Sequence, residues 1–145
     1  MSVAKRALQE FYLEEGLPAH GNLTVWIDWV RVFGIPVPLP NIFGRAKVLP
    51  YHDLHHIVTG YQTDEAGEAE VAAWCMAAGG GPPLARVYDT VAAGLGLLRF
   101  PNRTVRAWRR GRGAQTLYGY PIEALLEMEV EHIRGLAKIR SAQTH

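Results

Sequence analysis

The sequence predicts an all-α protein, a single-domain helical bundle over residues 1–145 built around a metal-binding helical hairpin. Three observations carry that prediction. Apolar residues recur at the three-and-four spacing of one helix face in most segments. Glycine and proline fall between those segments, at Gly16 and Pro18, Gly34, Gly60, Gly79 to Pro83, Pro101 and Pro121, where they stop helices and do not break them. Two histidines one helical turn apart, His52 and His56, are followed by a tight turn and then by Glu68 near the start of another helix.

Taken in order, Val3 to Glu15 places Ala4, Ala7, Leu8, Phe11 and Tyr12 along one face, an amphipathic helix ended by Gly16 and Pro18. Asn22 is positioned to cap a second helix containing Val25, Trp26, Trp29, Val30 and Phe33, stopped by Gly34. Ile35 to Pro40 alternates with proline and reads as an extended strap, because each proline lacks a donor and biases its predecessor away from helix. The helix carrying His52 is expected after Pro50, with Gly60 as its left-handed cap. Thr63 is the expected N-cap of the next helix, about Asp64 to Ala78, whose acidic first turn complements the helix dipole. Its period sets Glu68 on an inward stripe with Val71, Ala72 and Cys75. Beyond the Gly79 to Pro83 break, a helix is expected over Leu84 to Leu98 and another, capped by Asn102, over Arg103 to Arg110. Gln115 to Tyr120 has weak strand character. Pro121 begins a short helix, and Val130 to Lys138 forms the last one.

Composition bounds the chemistry. With 48% apolar and 20% charged residues the chain has the make-up of an ordinary globular domain. A formal net charge of +1 argues against a generally polyanionic partner, and nucleic acid is not expected. Cys75 is the single cysteine, so no intrachain disulfide can form and a reducing compartment follows. A multi-thiolate metal site is excluded for the same reason. Lys5 and Arg6 are followed by acidic residues with no apolar run behind them, unlike a signal or transit peptide. The longest uncharged stretch, Val71 to Ala85, is cut by Gly79 to Pro83, so no membrane span is expected, only attachment to a membrane surface.

His52, Asp53, His56 and Glu68 are the side-chain types that bind divalent cations. At about 100° per residue, His52, His56 and Asp53 lie at roughly 0°, 40° and 100° round one helix, and Glu68 reaches the same point from the next. Zinc takes imidazole and carboxylate in a tetrahedron, whereas two histidines with one carboxylate and open positions suit non-haem iron. If all four bind, the site is closed and structural. If one stays off, a water or substrate can enter. Asp53 has a second role open to it, since in helical metalloprotease motifs the acid after the first histidine acts as base. His55 points about 100° from His56 and reads as a supporting or solvent-facing residue.

The spacing His52-Asp53-x-x-His56, then eleven residues, then Glu68 resembles the signature of the coenzyme Q (ubiquinone) biosynthesis protein 4 family. Gly60 and Gly67 fall where that family's hairpin has glycines. Trp108-Arg-Arg-Gly111, Leu117-Tyr118, Pro121 to Leu125 and His132-Ile-Arg134 resemble its carboxyl-terminal pattern, so the likeness runs from about Asn41 to Arg134. The resemblance implies a helical metal protein with His52, Asp53, His56 and Glu68 as ligands and zinc as the first choice, iron or manganese next. It implies a prenylated quinone precursor as ligand, bound at the inner face of the cell membrane from the cytoplasmic side, with other quinone-biosynthesis enzymes as partners. A homodimer is left open. The family is implicated in removing the ring carboxylate and hydroxylating that carbon, which would give Asp53 and Glu68 proton-moving roles. A non-catalytic lipid-binding scaffold with a structural metal is the alternative.

Arg99, Arg103, Arg106 and Arg110 belong to the one dense basic cluster. They read either as a solvated face or as a site for lipid headgroups, at about 1 kcal/mol per basic residue near an anionic membrane. Val91 to Leu98 reads as core, with a share open to an isoprenoid channel. His20, His52-Asp53 and Asp89 echo the order of HD-type metal phosphohydrolases, but that reading leaves His56 and Glu68 idle. Tyr88, Asp89 and His20 are therefore read as structural residues.

Overall fold

Helix-forming segments separated by proline and glycine give the observed architecture. The computed structural model describes residues 3–15, 27–32, 35–40 and 45–139. Among them are α1 (Ala4–Glu14), β1 (Ile27–Val32), β2 (Ile35–Pro40), α2 (Arg45–Thr59), α3 (Glu65–Ala77), α4 (Pro83–Arg99), α5 (Pro101–Gly111), α6 (Ile122–Leu126) and α7 (Val130–Leu136). The protein is all-α in class, with one two-stranded antiparallel ribbon. Among the described residues, no helix is long and apolar enough to cross a membrane.

The ribbon corrects the second expected helix. Ile27–Val32 is a strand, paired in register with the proline-rich segment, Val32 opposite Ile35 and Ile27 opposite Pro40. The stretch is rich in β-branched and aromatic residues, which fit a pleated surface better than a helix. Pro36, Pro38 and Pro40 occupy alternate positions of β2. In an antiparallel pair, alternate residues turn their N–H away from the partner, so one phase of the strand tolerates proline throughout. Asn22, Val25, Trp26 and Phe33 lie outside the described residues.

Smaller corrections concern helix starts. α2 begins at Arg45, so Pro50 lies inside it. The proline removes a single ladder donor near the helix start, and Ala46, Lys47 and Leu49 are good helix formers. Asp64, not Thr63, caps α3. α5 starts at Pro101, whose fixed φ suits the first helical position, and Asn102 lies within its first turn. Residues 114–121 form turns and loop with no strand.

The core has two parts. Leu54 and Val58 of α2, Val71, Trp74 and Cys75 of α3, and Leu117, Leu125 and Ile133 from the C-terminal segments pack with Ala4 of α1. A second layer joins α3 to α4 and α5 through Ala72, Ala73, Ala92, Ala93 and Ala107. Alanines at these positions, with Gly96 and Gly111, let the three helices approach closely. α1 closes on the far end of the chain: the Ala4 N–H donates to the Met128 carbonyl at 2.8 Å, and Val3 bridges Glu129.

Candidate metal centre

The hairpin from α2 to α3 is fixed at its turn. Gly60 adopts φ 79°, the left-handed conformation that ends α2, and its N–H donates to the His56 carbonyl at 2.9 Å. The remaining carbonyls of that last turn accept from arginines distant in sequence. Arg110 Nη1 donates to Thr59 O at 2.9 Å and Arg134 Nε to Val58 O at 3.1 Å. Cations here also complement the negative end of the helix dipole. On the other side of the turn, Asp64 Oδ1 accepts from the Gly67 N–H at 2.8 Å. A Cβ at Gly67 would lie 1.9 Å from the Gln62 carbonyl oxygen, so the loop folds directly against the first turn of α3. Glu68 is thereby delivered to the face of α2 that carries the histidines.

His52 Nε2 lies 3.2 Å from Glu68 Oε2, His56 Nε2 lies 3.1 Å from Glu68 Oε1, and the two Nε2 atoms are 3.2 Å apart. His56 Nδ1 stands 3.2 Å from the Tyr61 carbonyl, which can only accept, so Nδ1 carries a hydrogen. In the neutral imidazole Nε2 is then a lone pair turned on a carboxylate and a second imidazole. Such a convergence of acceptors is stable only around a positive centre, a proton or a metal ion. The donor set fits a metal: ligands about 2.0–2.1 Å from a tetrahedral zinc lie about 3.3 Å from one another. His52, His56 and Glu68 can therefore hold a metal ion, their ligand atoms lying within 4.8 Å of one another.

The electrostatics agree. Burial lowers the His52 pKa, but the charge and hydrogen bond of Glu68, aided by Asp53 and Asp89, more than offset it and leave it raised to about 9. Burial pushes the Glu68 carboxyl up, yet the two histidines hold it well below the usual range. The Tyr88 hydroxyl donates to Glu68 Oε2 at 3.2 Å, and its ring meets His52 edge-on. That contact orients the carboxylate, as outer partners of metal ligands generally do.

Asp53 stands outside this group. It lies about a quarter-turn round α2 from His52, and its carboxyl hydrogen-bonds the Tyr12 hydroxyl of α1. Burial raises its pKa against the pull of His52. Next to Tyr12, Phe11 stacks on the His56 ring with centroids 6.1 Å apart, so α1 covers one side of the centre.

The basic cluster is largely engaged within the fold. Arg99 pairs with Glu65 at 3.0 Å, Arg103 with Glu70, and Arg110 both caps α2 and lies over the Tyr61 ring. Arg106 is exposed on α5. These contacts tie α4 and α5 to α3 and to the hairpin turn.

Three residues passed over in the sequence belong here. Tyr88 touches Glu68, and Asp89 is buried with Oδ2 lacking a partner. Burial raises the Asp89 pKa to about 7, against the charge of His52. The signal was present: Asp89 falls on the stripe of Ala85, Ala92, Ala93 and Gly96 that helical period turns inward. His55 is fully buried, not solvent-facing, its Nε2 accepting the Leu117 N–H at 3.0 Å. His20 lies outside the described residues.

Burial, with the charges of His52 and His56, lowers the His55 pKa to about 3. A histidine whose folded pKa is depressed binds fewer protons folded than unfolded. Its neutral form is accommodated above pH 6.5, and stability falls as pH drops from about 6.5 through about 3, by on the order of 5 kcal/mol at the limit. Urea unfolding of metal-free protein at pH 7 and pH 4 measures this. His55→Gln, which keeps an acceptor for Leu117, is expected to lose less stability over that range than the wild type.

Three donors from two helices satisfy part of a metal's coordination shell and leave room for a further ligand. Comparison with protein-family models, with curated proteins and with solved structures finds no match to this chain.

Proposed function

We propose that the protein is a metal-dependent member of the coenzyme Q biosynthesis protein 4 family, acting on the ring carboxylate of a prenylated aromatic precursor at the His52–His56–Glu68 centre. One observation favours an enzyme over a structural staple: Asp53 is turned to Tyr12, so the ligand set is three residues and one position stays free for substrate. Zinc fits the nitrogen and oxygen donors, and iron is the ion for which two histidines and one carboxylate are most diagnostic. The bound metal would supply Lewis-acid binding of the ring's carboxylate and phenolic oxygens.

The chain's own residues have definable parts. His56 is held by Tyr61, Glu68 is held by Tyr88, and Phe11 and Tyr12 shield the centre from water. Val87, Val91 and Leu98 are exposed on α4, and Trp108 and Arg106 on α5. Val87, Val91 and Leu98 share one side of α4 by helical period, and an exposed apolar stripe suits a membrane surface, where a prenylated precursor resides. This supports peripheral attachment at the inner face of the membrane, beside other quinone-biosynthesis enzymes.

Elemental analysis of protein purified without added ions tests the centre. About one divalent ion per chain is expected in the wild type and a small fraction of that in His56→Ala. A metal-free wild type, indistinguishable from the variant, sinks the reading.

A further inference from the structure

The fold leaves a broad face of α4 and α5 uncovered. Helical period puts Leu84, Val87, Val91 and Leu98 on one side of α4, and they are 38%, 64%, 52% and 81% exposed. Beside that stripe a groove separates α4 from α5. Thr90 and Leu97 line it on one side and Val105 and Trp108 on the other, over a floor of Ala73 and Met76 from α3, and its volume is about 390 Å³. None of its lining residues is charged, and a Cβ at Gly94, also on its wall, would meet nothing within 4 Å. Monomeric proteins seldom leave a continuous apolar surface of this extent to water.

The charges round this face have one sign. α4 and α5 contain six arginines and one acid, Asp89, which is buried. Arg99, Arg103 and Arg110 are engaged within the fold. Arg86, Arg106, Arg109 and Arg112 are exposed and form no ion pair among the described residues. Gly96 packs on Thr104 near the connection, and Thr90 shares the groove with Trp108 further along, so the end of α5 lies towards the start of α4. Arg109 and Arg112 stand one turn beyond Val105 and Trp108, and Arg86 one turn before Thr90, so these three flank the same end of the groove. Arg86 is fixed there by its Nε–H, which donates to the Gly81 carbonyl at 2.7 Å.

This combination decides between occupants. The α4 and α5 of a second copy offer no exposed acid to pair with the arginines. A single partner helix in the groove would cover Thr90, Leu97 and Trp108 but leave Val87, Val91 and Leu98 in water, because they lie about a quarter-turn further round α4. A lipid surface covers stripe and groove together, and its phosphates answer the arginines. We propose that the α4–α5 face docks on an anionic phospholipid bilayer, with Val87, Val91 and Leu98 entering the acyl boundary and Arg86, Arg109 and Arg112 on lipid phosphates. This rests on the peripheral attachment proposed above and adds to it the face used and a requirement for negative headgroups.

Co-sedimentation of the zinc-loaded full chain with vesicles tests this, using phosphatidylcholine alone or with about 30% phosphatidylglycerol. The wild type is expected to bind the anionic vesicles at least about tenfold more tightly. Arg109→Gln with Arg112→Gln is expected to lose at least about tenfold of that affinity, and Val91→Asp with Leu98→Asp to lose measurable binding. Lys5→Gln with Arg6→Gln removes the same charge from α1 and is expected to bind within about threefold of the wild type. All these side chains are exposed, so helicity and metal content should match the wild type. Equal binding to both vesicles overturns the assignment, as does a loss in the α1 pair as large as in the α5 pair. Binding that Val91→Asp with Leu98→Asp leaves intact also overturns it; attachment then stands through another face, and the stripe passes to a protein partner. No binding to either vesicle overturns the assignment and the peripheral attachment together. A lipid-free dimer that the same aspartate pair splits gives the face to a second copy. Metal content is measured separately, so the centre stands or falls independently of the face.

Discussion

Glu68→Gln is expected to empty the metal centre while leaving the helices formed. The carboxylate faces both histidines and accepts from Tyr88, so it is the one anionic donor at the point of convergence. Losing an outer partner of a ligand typically lowers metal affinity about 10–100-fold, so replacing the anionic ligand itself should cost at least about a hundredfold. Competition with a chromogenic chelator reads this directly, and an affinity within a factor of about three of the wild type would refute the site. A second consequence separates catalyst from staple. His52 loses the charge that raises its pKa, and the buried ion pair is worth on the order of 3 kcal/mol to break. If the metal mainly joins α2 to α3, added zinc should raise the wild-type melting temperature strongly and the variant's hardly at all, with no turnover by either protein. If the centre is catalytic, the variant should lose turnover even below its melting temperature.

Gly67→Ala carries the largest expected effect on folding. Its Cβ would stand 1.9 Å from the Gln62 carbonyl oxygen and 2.5 Å from the carbonyl carbon, both backbone atoms. A flexible side chain could rotate aside; a peptide group in a short turn cannot. The turn must open, which breaks the Asp64 cap and carries Glu68 away from α2. Overpacking usually costs about 1–3 kcal/mol, and a backbone collision belongs at or above the top of that range. Chemical denaturation should show a loss of about 3 kcal/mol or more, with metal affinity falling in parallel. A stability change under 1 kcal/mol would mean that the turn is looser than this geometry allows.

The hairpin was legible because its logic is local. A glycine stop, an acidic first turn and histidines at i and i+4 are all encoded within seventeen consecutive residues, His52 to Glu68. Helical period also located Glu68 on the same side as Val71, Ala72 and Cys75. What escaped depended on partners far along the chain. Asp53 bonds Tyr12 of α1, and the caps on α2 come from Arg110 and Arg134. Arg99, Arg103 and Arg110 read as a solvated face or a headgroup site because their partners Glu65, Glu70 and the Thr59 carbonyl are tens of residues away. The segment Ile27–Val32 was ambiguous for a different reason. Its apolar residues, Ile27, Trp29, Val30 and Val32, change strand face between Trp29 and Val30, so the alternation that marks a strand is broken and the pairing with a proline-rich partner reveals it.

The attachment of α1 to Met128 and Glu129 sets an order of events during synthesis. His52 and Glu68 are 16 residues apart and can meet as soon as the hairpin leaves the ribosome. The N-terminal end of the first helix gains its backbone partners only once Met128 and Glu129 have followed. The triad can thus assemble before α1 is fixed at its outer end, while Phe11 and Tyr12 are held over it by α2 alone.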